Sequence, residues 1–431
     1  MTNAMTTIGD IADIYDGPHA TPKKINVGPY FLSISSLEKG RLDLSKSAHV
    51  SEEQFTKWTK RVTPKENDLL FSYETRLGEA ALMPDGVKAC LGRRMGLLRP
   101  KPNKVNPDYL LYAYLSPFFQ NVIKSNTIVG ATVNRIALSE MAAFPIRVPS
   151  TEEQYFVSTL LKTIDKKIEL NNRINAELEA MAKTLYDYWF VQFDFPDTDG
   201  RPYKTSGGKM VYNDSFGRKV PAEWNVNFLS DWIKADKTGD WGKEAQEGNY
   251  TLQVDCIRGA DINGINGPGK VAAPNRFILK KNEHKLLSPF DFVIEISGGS
   301  PTQSTGRLSG ITQEVLERFD YPVICSNFCK AISLKNISYF YNFAYMWQWI
   351  YDHEILFGWE GKTSGIKNLL FDSFVTKYSV AMPPEDLAQK FYDFVSPLQS
   401  KKQTLLKENS ELEALRDWLL PMLMNGQVTV K

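Results

Sequence analysis

The sequence predicts a chain built twice over: a strand-rich globular domain followed by a long helix, then the same pair again. Three observations carry this. A helical stretch recurs, Asn-Ala-Glu-Leu-Glu-Ala-Met at Asn175–Met181 returning as Asn-Ser-Glu-Leu-Glu-Ala-Leu at Asn409–Leu415, and the same gapless offset of 234 lays Pro149 on Pro383, Ile164 on Leu398 and Leu185 on Leu419. The strands ahead of each copy recur more loosely. Between the copies, Phe193 to Trp224 is rich in Gly, Pro and polar residues, the makeup of a linker.

Each helix opens just after its proline with acids in the first turn, Glu152 and Glu153 or Glu385 and Asp386, which complement the helix dipole. In the first copy Ile164, Ile168, Asn171, Ile174, Leu178, Met181, Leu185 and Tyr188 fall three or four apart. In the second the stripe is Phe391, Phe394, Leu398, Leu405, Leu412, Leu415 and Leu419. One such stripe alone reads as an ordinary core helix. Two matching seams of coiled-coil width should pack together, each helix running roughly 55 to 60 Å at 1.5 Å per residue. Pro397 is expected to kink or delay the second helix, and Pro421 to bend its last turn.

Ahead of each helix, Asn67–Phe71 and Phe290–Ile294 read as buried strands, each followed by a polar loop with Arg76-Leu77 or Arg307-Leu308. Apolar strands follow at Gly92–Leu98 and Phe328–Leu334, then aromatic helix-like runs from Tyr109 and from Tyr339. Gly130-Ala131-Thr132 aligns with Gly361-Lys362-Thr363, and a last strand, Phe144–Val148 or Tyr378–Met382, reaches the proline. The boundaries drawn are a domain over 1–150, a helix over 151–193, a linker over 194–224, a domain over 225–382 and a helix over 383–426.

The bulk numbers agree with two folded domains. At 431 residues, 42% hydrophobic and 23% charged, the chain has apolar material for two or three cores. It contains no run of 18 apolar residues, and its start lacks the basic-then-apolar layout of a secretory signal, so a cytoplasmic protein without membrane association is expected. Cys90, Cys256, Cys325 and Cys329 show no paired C-x-x-C spacing and read as reduced core residues. A net charge of +1 gives no global pull towards nucleic acid, so charge must act locally or through partners. One stretch does concentrate it: Lys88, Arg93, Arg94, Arg99, Lys101 and Lys104 fall within seventeen residues free of Asp and Glu. A solvated strand edge explains that stretch equally well.

Catalytic motifs are missing. A phosphate loop needs G-x-x-x-x-G-K-[ST], but Leu356 stands five before Gly361. Asn106-Pro107-Asp108-Tyr109 approaches an amino-methyltransferase loop, yet Asp108 replaces the second proline and the stretch reads as a turn opening a helix. Pro84-Asp85 and Pro196-Asp197 lack the second acid and lysine of a nuclease, and His19, His49, His284 and His353 are too scattered for a metal site. No Ser or Cys sits in a nucleophile elbow.

Several stretches resemble the specificity subunits of type I restriction-modification systems: Leu185–Pro196, the linker Pro202–Tyr212, Val220–Trp224 and the close of the chain, Leu415–Val428. With the repeat, the resemblance covers essentially the whole chain. It implies an α/β (α+β) fold: two similar mixed α/β target-recognition domains, related by a pseudo-two-fold internal repeat and joined by two long antiparallel coiled-coil helices that act as a ruler. It implies that each domain reads one half of a split site in double-stranded DNA. It also implies that the helices dock two methyltransferase subunits and that motor-nuclease subunits join that core. S-adenosylmethionine, ATP and Mg are then expected in the partners, with no cofactor, metal or catalytic residue in this chain. The rival reading is a non-catalytic scaffold that assembles partners without recognising DNA.

Base edges and phosphates favour Arg, Lys, Gln, Asn, Ser and Thr on loops. With the repeat, this selects Tyr73, Thr75, Arg76, Arg93, Arg94, Thr132, Asn134 and Arg135 in the first domain. In the second it selects Ser300, Gln303, Ser304, Arg307, Lys362, Thr363 and Ser364. Arg76 or Arg307 could instead pair with an acid, and Thr132 or Thr363 could cap a turn. For the partner surface the candidates are Tyr186, Trp189, Phe190, Trp418 and Met422, with sealing of the coiled coil as the competing role.

Overall fold

The computed structural model describes residues 5–428 apart from 131, 299–301 and 364–365. The chain forms two units, one comprising Met1–Ile168 with Glu411–Lys431 and the other Glu169–Ser410. Both are mixed α/β, and the order of their strands is the same.

In the first unit an antiparallel sheet runs in the order Ala12–Asp16, Met95–Pro100, Leu69–Ser72, Ala80–Leu82. The second unit repeats it with Ile233–Thr238, Cys329–Leu334, Asp291–Glu295 and Leu308–Gly310. The third strand of each is buried along its whole length, as expected of runs without polar alternation. A smaller sheet also repeats, with one parallel pairing in each unit: Ile25–Phe31 beside Ala89–Cys90, and Tyr250–Ile257 beside Val323–Cys325.

The turn entering the buried strand is built alike in both. Asp68 accepts from Lys65 N at 2.8 Å and is held by Arg99; Asp291 accepts from Ser288 N at 2.8 Å and is held by Lys237. The residues just before, Asn67 and Phe290, both take left-handed φ, +68° and +70°. Asn tolerates that region; Phe does not, and its edge-to-face contact with Phe340 at 5.4 Å offsets the strain.

Aromatic helices cover the sheets. Tyr114 of Pro107–Leu115 lies 6.0 Å from Phe71, and Phe340 of Phe340–Asp352 stacks on Phe292 at 4.4 Å. Trp347, fully buried, donates from Nε1 to Gly306 O at 2.7 Å, so its one polar atom is satisfied.

The long helices span Thr151–Tyr186 and Glu385–Met424. Within each unit their segments pair antiparallel. In the first unit Arg416 meets Asp165 at 2.9 Å, and Val157 and Leu161 share a core with Leu423 and Met424. In the second, Asn171 donates to Asn409 Oδ1 at 2.9 Å, Lys402 pairs with Glu179, and Tyr186 meets Phe391.

Three expectations about these helices need correcting. The second helix is not delayed at Pro397: it is helical from Glu385 to Met424, and Phe391 and Val395 anchor the turns around Pro397 in the core. The first helix changes at Asp187–Val191 to a π-helical turn. The seam also drifts off the apolar stripe: after Asn171 the buried positions are Asn175, Ala182 and Tyr186, while Met181 is 51% exposed and Tyr188 is exposed. The second helix does the same, burying Lys402, Gln403 and Asn409 and exposing Phe394 and Leu415. Polar and small seam residues were invisible to a search for apolar spacing.

The stretch read as a linker over 194–224 carries a hairpin, Met210–Asn213 paired with Arg218–Pro221, and puts Val220 and Trp224 into the second unit's core. No helix among the described residues is long and apolar enough to cross a membrane.

Candidate DNA-reading loops

In each unit three loops meet at one end of the main sheet, tied by the same backbone bonds. In the first unit Tyr73 N donates to Arg94 O at 3.2 Å, and Ile136 N donates to Tyr73 O at 2.9 Å. In the second, Ile296 N donates to Phe328 O at 2.9 Å, and Leu369 N donates to Ile296 O at 2.8 Å. The third loop is a hairpin in both, Thr127–Ile128 with Arg135–Ile136 and Glu360–Thr363 with Ile366–Leu369.

Four first-domain candidates converge here. Thr75 N donates to Asn134 O at 3.1 Å, Arg94 Nη1 donates to Thr75 Oγ1 at 3.2 Å, and a backbone bridge joins Glu74 to Arg135. Arg94 also pairs with Glu74 at 3.1 Å. Thr75 and Arg94 both sit at left-handed φ, +69° and +72°. A β-branched residue there is a true outlier, and such strain concentrates at binding sites. Arg93, Thr132, Asn134 and Arg135 are exposed, and neither Arg93 nor Arg135 pairs with a carboxylate among the described residues.

Two candidates serve the framework instead. Tyr73 is 4% exposed, and burial pushes its phenol up to about 12. Arg76 turns away, donating to Ile34 O at 3.1 Å and meeting Glu79 at 3.4 Å, so it is the acid-paired arginine of the competing reading.

In the second unit the arginine is again not free. Arg307 forks onto Glu295 at 2.8 and 2.6 Å with both groups largely buried, and the carboxylate's hydrogen bonds raise its pKa. Ser304 is buried and its carbonyl accepts from Tyr351 at 3.3 Å. Gln303 is exposed, its carbonyl 3.4 Å from Lys367 Nζ. Lys362 and Thr363 lie on the hairpin strand Glu360–Thr363; their side chains, with Ser300 and Ser364, lie outside the described residues.

Other residues occupy this end of the second unit. Ser297 donates to Asn368 Oδ1 at 2.6 Å, Lys367 pairs with Glu360 at 3.1 Å, and Phe328 is 54% exposed beside them. Their signal in the sequence was positional: Phe328 shares the place of Arg94 in the strand pairing, which composition alone does not reveal.

On the long helices, Tyr186 and Phe190 are each 6% exposed and belong to the second unit's core, a correction to their expected place on a partner surface. Trp189 is half-buried against Phe391 and Met422 is half-buried, whereas Trp418 is 59% exposed. Met181 and Leu415, equivalent under the repeat, are both exposed. The cysteines are buried, and burial pushes the Cys90, Cys256 and Cys329 thiols up to about 12. Among the described residues no group of three or more His, Cys, Asp or Glu is placed to hold a metal ion.

Comparison with known proteins gives a consistent result. Residues 2–180 match the family described as Type I restriction modification DNA specificity domain. The chain is 24% identical over 385 residues to the type I restriction enzyme MjaIX specificity subunit of Methanocaldococcus jannaschii, covering 89% of this chain and 82% of that protein. It is 28% identical over 137 residues to the HindI specificity subunit of Haemophilus influenzae, 30% of this chain and 29% of that one. In fold it is similar to the crystal structure of a type I restriction-modification S subunit from M. genitalium, with a TM-score of 0.57, 17% identity, and coverage of 97% of this chain and 95% of that one. The duplicated α/β units, the paired helices and these likenesses agree: over nearly its whole length the chain resembles the specificity subunits of type I restriction-modification systems.

Proposed function

We propose that this chain supplies the DNA sequence specificity of a type I restriction-modification complex, each unit reading one half of a bipartite site in double-stranded DNA. One observation carries the reading: the same three-loop cluster stands at the same place in both sheets, with the same backbone bonds and different side chains. Conserved placement with changed chemistry is what two half-sites of different sequence require. In the first unit Arg93, Arg94 and Arg135 suit guanine edges and phosphates. In the second, Asn368, Ser297 and Gln303 offer amides and a hydroxyl, which suit adenine, and Phe328 offers apolar contact to a thymine methyl.

The proposal extends to partners. The long helices take up two methyltransferase subunits, and the exposed pair Met181 and Leu415 supports two equivalent contacts, with Trp418 beside the latter. Motor-nuclease subunits join that core. Methyl transfer, ATP hydrolysis and cleavage, with S-adenosylmethionine, ATP and Mg, fall to those partners, this chain having no catalysis of its own. The assembly works in the cytoplasm.

The test is to co-express the chain with its methyltransferase partner and select bound and methylated DNA from a random library at one fixed salt concentration, since phosphate contacts make affinity salt-dependent. Enrichment of a split site is the expected result. A stable complex without sequence preference overturns the reading and favours the scaffold.

A further inference from the structure

The second unit contains a cavity of about 240 Å³ that DNA reading does not use. It lies where the π-helical turn of the first long helix meets the hairpin strand Arg218–Pro221 and the aromatic helix Phe340–Asp352. Such π turns are frequent at functional sites. Aromatic and aliphatic walls, among them Tyr186, Phe216, Trp349 and Tyr378, lead from an exposed arginine at the rim to a buried amide.

The first is Arg218. Its guanidinium lies 4.9 Å from the Phe193 ring centre and 4.7 Å from that of Phe216. No carboxylate pairs with it among the described residues; the titratable groups acting on it are the phenols of Tyr186 and Tyr378. Burial lowers its pKa, the reverse of Arg307, whose acid partner raises it. The second group is Asn342. It is 2% exposed and lines the same cavity, and its Nδ2 has no acceptor. A leucine here would pack without an orphan donor.

The buried Nδ2 of Asn342 lacks an acceptor, and Arg218 at the exposed rim of the same cavity has no carboxylate partner among the described residues, so an anionic acceptor would serve both. A carboxylate has two oxygens, one for a guanidinium N–H and one for an amide N–H. The volume equals that of roughly eight liquid waters, enough for a carboxylate bearing one ring or a short apolar chain. We propose that this cavity binds a small organic carboxylate, its oxygens on Arg218 and Asn342 and its apolar body against the aromatic walls. The site is independent of the DNA-reading loops.

Phenylacetate and indole-3-acetate, titrated against the full chain by calorimetry and thermal unfolding, test this, with phenylacetamide as the neutral control. Saturable binding of a carboxylate with a Tm rise of a few degrees is expected, with phenylacetamide inert. Arg218→Gln, folded by its own unfolding curve, should weaken binding at least about 10-fold. Asn342→Asp should raise the Tm of the unliganded chain and abolish binding, because it supplies the missing acceptor internally. Absence of binding by both acids, equal binding in Arg218→Gln, or equal binding of phenylacetamide overturns the proposal.

Discussion

The loop clusters of the two units share a frame and differ in everything placed on it. In the first, two residues are held at left-handed φ and arginines project, two of them without acid partners among the described residues. In the second, the corresponding strand end carries Glu295 where the first has Ser72, and that acid captures Arg307 inside the fold. One unit therefore spends its positive charge on the surface and the other on its interior. The lesson is that residue type misleads where pairing decides: Arg135 stays exposed with no carboxylate partner among the described residues, whereas Arg307 is captured by Glu295 on the buried strand.

That contrast can be broken by mutation. The largest effect should come from Glu295→Ala, which leaves Arg307 buried and unpaired and should destabilise the second unit by about 3–5 kcal/mol. Ser72→Ala, its counterpart, should stay near about 1 kcal/mol, both read from denaturant midpoints. Equal losses would show that the ion pair is not what distinguishes the units. Next, Met181→Asp and Leu415→Asp should each weaken one methyltransferase contact by about 2 kcal/mol, so native mass spectrometry should find one copy bound instead of two. Retention of both copies in each variant would remove these residues from the docking surface.

Arg94→Ala and Arg135→Ala should lower specific DNA binding by about 1–3 kcal/mol and relax preference in one half-site only, with Asn368→Ala doing so in the other. Selections in which each variant alters both half-sites would refute the division of labour. Thr75→Gly should relieve the left-handed backbone and raise stability by up to about 1 kcal/mol while loosening Arg94, measured as Tm against specificity. A fall in Tm would mean that the φ of +69° carries no strain.

The smallest effect concerns pH. Burial works to raise the Glu179 pKa, but Lys402 and the hydrogen bonds around it hold it below its usual 4.5. A depressed folded pKa means a contribution to stability that is full above pH 4.5 and lost as pH falls through the folded value. Glu179→Gln should flatten that part of the acid unfolding curve. No change in its slope would show the pair to be neutral.

Much of this architecture was legible in advance. The duplication, the buried strands and both long helices follow from periodicity, because burying a strand on both faces leaves an apolar run. The seam was only partly so: Asn171 lies in the apolar stripe, but Lys402 and Asn409 are buried by pairing between segments distant in sequence, and Asn175 is buried beside them. The site was half legible. Thr75, Arg94, Asn134 and Arg135 do converge, but Arg307 and Ser304 bury, and Phe328 and Asn368 take their place through strand register. Tyr186 and Phe190 look like an amphipathic end until the hairpin of the supposed linker covers the second unit's core.

The amide pairs of the helix seam have a mechanical consequence. A seam of leucines can creep, because each knob fits the next hole almost as well. Here Asn171 has a partner at Asn409, and Lys402 has one at Glu179, so a slip of one turn would break named bonds and leave the buried Asn171, Asn409 and Lys402 unpaired. Load along these helices is therefore carried as in a keyed shaft rather than lost to sliding. The weakest key is Asn175, whose amide bonds nothing, and backbone amide exchange in the second unit's helices should be fastest there.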